Sequence, residues 1–244
     1  MQAMIRTLRF SSLFLLFWIL LPAPASGQQL VVDDAEIVDR GACQVEAWHG
    51  ERASWILPAC QFLSNVEISV GAGFIDDGTG HRETEYAVEA KTLIRPLSPG
   101  SWGLGVVFGV GPNPSAEGEE RHFGDVYAFM PASISLLNDR LVVHGNLGWG
   151  WHRETVDHGD HVHESDDHHL TWGLRSDVAL SDTFTLLAEL YGEDDRRPHY
   201  QVGLRLQHEG AGIEVDLTWG GSTHPDEEGP GFTVGLAFVS GRIF

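Results

Sequence analysis

Residues 141–151, Leu-Val-Val-His-Gly-Asn-Leu-Gly-Trp-Gly-Trp, and 170–180, Leu-Thr-Trp-Gly-Leu-Arg-Ser-Asp-Val-Ala-Leu, carry the pattern that decides the fold. In an extended chain, successive side chains point to opposite faces. Leu141, Val143, Leu147, Trp149 and Trp151 therefore share a face, with His144, Asn146, Gly148 and Gly150 on the other. In the second stretch Leu170, Trp172, Leu174, Val178 and Leu180 oppose Thr171, Gly173, Arg175 and Asp177. Both read as strands with one apolar and one polar side. Between them, residues 152–169 hold six of the chain's 13 histidines, interleaved with carboxylates, and read as a long polar loop.

Working outward, the same alternation gives twelve strands, at about 42–50, 53–59, 64–75, 82–95, 101–111, 122–136, 140–152, 168–180, 184–193, 199–208, 212–221 and 231–244. Connections after the odd-numbered strands from the third to the eleventh are long and polar, and those after the second, fourth, sixth, eighth and tenth are tight. Trp149, Trp151, Trp172, Tyr200, Trp219 and Phe232 all fall at the strand ends beside long connections. Long outer loops, short periplasmic turns and an interfacial aromatic girdle define the all-β, transmembrane, antiparallel up-and-down β-barrel, here of twelve strands. A soluble β-sandwich also alternates, but it gives no reason for aromatics to gather at one end.

The chain opens like an export leader, with Arg6 and Arg9 ahead of an apolar run from Phe10 to Leu21 and small residues from Pro22 to Gly27. Three segments follow: a removed signal peptide over 1–27, a periplasmic or lumenal segment over 28–41, and the barrel over 42–244. The expected location is the outer membrane of a Gram-negative bacterium, with its lipid as the surrounding partner. The net charge of −20 and a single lysine, Lys91, exclude nucleic acid as a partner, because phosphate recognition needs clustered cations. Cys43 and Cys60 flank a hairpin centred between Glu51 and Arg52; that register sets Cys43 opposite Cys60 and Trp48 opposite Trp55, and predicts a cross-strand disulfide.

The inward faces are acid-biased. Glu67, Glu85, Glu89, Asp125, Asp177, Glu189, Glu214 and Asp216 stand against Lys91, Arg175 and Arg205, with His144 among them. Two roles are open to these groups: paired filling of the lumen, with Arg205 opposite Asp216, or a pore lining that favours cations. Gly103, Gly105 and Gly109 on the fifth strand are expected to leave space. In the polar loop, His158, His161, His163, His168 and His169 lie near carboxylates, a donor set suited to zinc, nickel or copper. Their spacing matches no structural zinc signature, so weak metal capture stands beside a plain solvated loop, and no cofactor is required. Ser133 faces His144 when the turn is centred at Asn138 and Asp139, and Asp177 points inward on the next strand. Some outer-membrane barrels are lipid hydrolases, but no Gly-x-Ser-x-Gly elbow occurs here, and a lumenal hydrogen-bond network explains the three residues better.

Two resemblances add to this. The terminal Phe244, after Leu236 and Phe238, resembles the sorting signature read by the barrel assembly machinery, with Ser240 and Arg242 at positions that are usually apolar. The run Asp33-Asp34-Ala35-Glu36-Ile37-Val38-Asp39-Arg40-Gly41, followed by Gln44-Val45-Glu46, resembles the start of the barrels grouped as the phenol meta-pathway (MetA) family. That resemblance implies an outer-membrane protein acting as a passive transporter of small molecules. The expected function is a passive channel or uptake protein for small solutes with modest cation preference. The alternative is a surface metal-binding or adhesive barrel acting through the histidine-rich loop.

Overall fold

The computed structural model describes residues 30–76, 82–111, 126–157, 162–194, 196–208, 211–224 and 229–244. The leader lies outside the described residues, as do Asp125, His158 and His161. Twelve antiparallel strands form a closed barrel: β1 Cys43–Gly50, β2 Ala53–Leu63, β3 Val66–Asp76, β4 Arg82–Arg95, β5 Trp102–Val110, β6 Val126–Leu136, β7 Leu141–Asp157, β8 Val162–Ala179, β9 Phe184–Glu193, β10 His199–His208, β11 Ile213–Ser222 and β12 Gly231–Val239. Each strand pairs with its neighbours in sequence, and β1 pairs with β12 to close the ring. Closure leaves no unpaired sheet edge, the condition for crossing hydrocarbon with strands.

The alternation predicted from the sequence sets the two faces. Val70, Phe74, Leu147, Leu174, Leu186, Val202, Leu217 and Leu236 are exposed on the outer wall. Glu67, Ser69, Ser133, His144, Arg175, Glu189, Gln201, Asp216 and Thr218 are buried on the inner one. Hydrophobic residues outside and polar residues inside invert a soluble core, because the apolar partner is lipid. The registers follow the tight turns. Cys43 pairs with Cys60, Trp48 with Trp55, Ser133 with His144, and Arg205 with Asp216. The Cys43–Cys60 disulfide is formed. At the β6–β7 turn, Leu137, Asn138 and Asp139 are all left-handed; the Asp139 carboxylate accepts from Gly100 N–H at 2.9 Å and from the Ser135 hydroxyl. Those two donors hold the Asp139 carboxyl below its ordinary range.

Two expectations change. The histidine-rich stretch is mostly not a loop: β7 and β8 stay in one unbroken register from Leu141↔Val178 to Asp157↔Val162. The Trp149↔Leu170 step of the aromatic belt therefore lies inside the strands, and the hairpin runs on past it by roughly 25 Å of strand length. Ladder pairing continues because residues 152–157 and 162–167 contain no proline or glycine to stop it. The last strand ends at Val239 rather than running to the terminus. Residues 240–244 turn across the seam, where Ser240 bonds Cys43, Ile243 N–H donates to Gly41 C=O at 2.7 Å, and Phe244 stacks on Phe62 at 5.3 Å.

Candidate functional site: the lumen and its N-terminal segment

A chain segment without regular structure still has to satisfy its backbone groups when it is buried. Residues 31–38 do so with the side chains of the inner wall. Val31 and Val32 N–H donate to the two oxygens of Glu189 on β9, each at 3.1 Å. Ala35 N–H donates to Ser133 Oγ on β6 at 2.8 Å, and Val38 N–H to Glu67 Oε2 on β3 at 2.9 Å. Arg175 on β8 donates to Val32 C=O. With its amide oriented by its partners, Asn146 on β7 accepts from Asp33 N–H at 2.8 Å and donates to Asp33 C=O at 3.0 Å. Lys91 on β4 holds Asp33 at 2.9 Å and Asp34 at 3.3 Å. Six strands thus grip the segment, which lies inside the barrel, and its apolar Val32, Ala35 and Val38 are buried there.

The glycines expected to leave space are used by neighbours. A Cβ at Gly109 would sit 2.2 Å from the Tyr127 ring, and one at Gly103 would sit 2.9 Å from Ala35 Cβ. A Cβ at Gly173 would sit 2.5 Å from Val32 Cγ2. These glycines admit Tyr127 and the N-terminal segment rather than an empty channel.

The predicted lumen residues divide by role. Glu67 and Glu189 accept backbone N–H groups of the segment, and Gln201 adds a 2.9 Å bond to Glu189. Glu89 accepts from the Tyr127 hydroxyl at 2.6 Å. Arg205 makes a two-pronged pair with Asp216, at 2.8 and 2.7 Å, and reaches Glu214 at 3.3 Å. Arg175 Nε binds Asp177 at 2.9 Å. Glu85 is buried on the inner face of β4. Asp34 is the most electrostatically committed group of the segment: burial pushes its carboxyl up, but Lys91 and Arg175 outweigh that and hold it well below the usual range.

Ser133, His144 and Asp177 do come together. Ser133 Oγ is 2.8 Å from His144 Nδ1, and His144 Nε2 is 3.5 Å from Asp177 Oδ2. The hydroxyl is capped by Ala35 N–H, Ser133 is only 3% exposed, and Asp177 is already taken by Arg175. The triplet as it stands is buried and anchors the segment through Ser133.

Of the five predicted metal-site histidines, only His168 and His169 have described side chains, and these two do not converge. His168 stacks on Trp149 at 5.6 Å, whereas the adjacent His169 is buried on the opposite face with Nε2 3.9 Å from Glu193. Neighbours in a strand point apart, so these two cannot share one ion. His163 lies on β8 opposite Val156, and its side chain is outside the described residues with His158 and His161. Sequence reasoning put Asn146 on the inner face and residues 28–41 in the lumen or at its mouth, but it did not name Asp33, Asp34 or Asn146 as site residues; the signal was the density of acceptors and donors on the inner wall, more than cross-strand pairing needs.

Three solved outer-membrane proteins share this fold. The KdgM porin in complex with disordered oligogalacturonate is 11% identical with a TM-score of 0.55, over 81% of this chain and 98% of that one. The NanC porin is 10% identical with a TM-score of 0.52, over 83% and 99%. The COG4313 outer membrane channel from Pseudomonas putida F1 is 14% identical with a TM-score of 0.53, over 86% and 98%. No curated protein matches the sequence. The fold is that of Gram-negative outer-membrane barrels, as the resemblance of residues 33–46 implies, although these matches do not carry the phenol meta-pathway label itself. One family model spans residues 15–238, and the chain belongs to that family, described as uncharacterised conserved protein UCP029691.

Proposed function

We propose that the protein is an outer-membrane uptake channel for small polar solutes whose lumen is stoppered by its own N-terminal segment. The observation that carries this reading is the way the interior is filled. Residues 31–38 are held by side-chain bonds to six strands and by one backbone bond, from Leu97 N–H beyond β4 to Ala35 C=O at 3.3 Å, instead of by the sheet ladder, so they can leave without breaking a strand pair. A barrel built only as a loop scaffold could pack its interior with wall side chains alone. The phenol meta-pathway resemblance points the same way, toward passive transport, and Phe244 is the residue through which the assembly machinery would recognise the barrel.

Once the segment withdraws, the wall carboxylates outnumber Lys91, Arg175 and Arg205, which gives a modest preference for cations. Glu85 and Glu89 on β4 are the wall carboxylates to neutralise, since replacing Asp177 or Asp216 would also break an arginine pair. Reversal potentials across a salt gradient in planar bilayers should be cation-leaning for the parent protein and move toward zero for Glu85→Gln/Glu89→Gln. An unchanged potential would remove these carboxylates from the selectivity mechanism.

A further inference from the structure

We propose that Lys91 and Arg175 form a carboxylate-binding site in the lumen, occupied at rest by the chain's own Asp33 and Asp34 as a tethered ligand, and that a small dicarboxylate solute takes the same place. The proposal rests on the channel reading only for the solute's route to the site.

The geometry is that of a floor and a ligand. The cations belong to the wall and are recessed, their side chains 10% and 5% exposed; the carboxylates belong to the segment and keep 35% and 31% exposed. Lys91 Nζ lies 2.9 Å from Asp33 and 3.3 Å from Asp34, and Arg175 Nη2 lies 3.9 Å from the other Asp34 oxygen. Asp34 thus bridges the two cations. Arg205 behaves differently, because its partners Asp216 and Glu214 stand beside it on β11 and are fixed by strand register.

On Arg175, Asp177 takes Nε and leaves both terminal nitrogens aimed at the segment. Glu67 stands opposite Lys91 on β3, but one of its oxygens takes Val38 N–H. Both cations are already stripped of most water, so a departing Asp33–Asp34 pair leaves buried positive charge that favours replacement by another anion. The surrounding wall carboxylates oppose single anions. A solute whose two carboxylates reach the ammonium and the guanidinium together makes both charge-assisted contacts at once to offset that field, which chloride and monocarboxylates cannot do.

The test uses the full chain folded in detergent and follows thermal unfolding against added succinate, with 1,4-butanediol and ionic-strength-matched sodium chloride as controls. Asp33→Asn/Asp34→Asn should melt lower than the parent and be restored by succinate in a saturable way. At a hundred times the dissociation constant the rise should reach about 5–10 °C. The parent, whose site is filled, should respond far less, and adding Lys91→Gln to the double variant should abolish the response. Should the double variant not fold, Asp34→Asn alone is measured identically. A flat response of the aspartate variant to succinate, or one that persists with Lys91→Gln, overturns the proposal. A barrel that passes no current would count against the channel reading while leaving this melting response intact, so the two failures are separable.

Discussion

At Gly173 a missing Cβ is what lets Val32 lie against β8, since an added Cβ would stand 2.5 Å from Val32 Cγ2. Gly173→Leu should therefore push the segment off the wall without touching the sheet ladder, and trypsin should cut faster after the exposed Arg40 because cleavage reports local opening. An unchanged cleavage rate would mean that Val32 contributes nothing to holding the segment. On the outer face the rule is lipid contact. Leu204 pairs with Leu217, and Val215 with Leu206, within the apolar stripe. Leu204→Arg or Val215→Arg should cost about 2–4 kcal/mol if near the midplane, read from urea unfolding by gel mobility. Much of this was legible in the sequence, because outward Leu and Val recur with period two and need only one neighbour, the lipid. The partners of Glu189 and Glu67 were not legible. A backbone N–H from a segment well over a hundred residues away, as between Val32 and Glu189, leaves no mark in local periodicity.

Among the elements, the tight turns fixed their hairpins' registers, so Cys43 opposite Cys60 and Ser133 opposite His144 could be derived from turn centres alone. Alkylation of the unreduced, denatured chain should find no free thiol, and Cys43→Ser/Cys60→Ser should lose about 3 kcal/mol from the released loop. The long connections gave no such constraint. Acidic and histidine-rich residues after Trp151 looked like a loop by composition, yet they continue the β7–β8 ladder. Among the described residues each strand there pairs with its hairpin partner alone, and its sequence carries no apolar stripe to bury, which is why hydrophobic periodicity stops at the membrane edge while pairing does not. Replacing residues 154–165 by a short turn should leave the heat-modifiable, folded form intact. Loss of that form would show that the projecting hairpin is needed to close the barrel.

For the whole molecule, twelve strands enclose an interior that wall side chains leave incompletely filled, and residues 31–38 complete it through polar bonds rather than sheet pairing. The segment's motif was visible in the sequence, but its place inside was not, because a half-acidic, half-apolar stretch suits the lumen and the periplasmic mouth equally. A channel of this build requires that segment to be a removable stopper. Val32 Cβ and a Cβ built on Gly173 are 3.6 Å apart, within the range a disulfide spans, so Val32→Cys/Gly173→Cys can fasten the segment to β8. Single-channel recording in planar bilayers is the direct measurement, with the parent protein carried through the same oxidation and reduction. The parent should open to a stable conductance, the double variant should be silent when oxidised, and reduction should restore the parental conductance. An oxidised variant conducting as well as the parent, with the crosslink verified by mass mapping, would contradict a removable stopper.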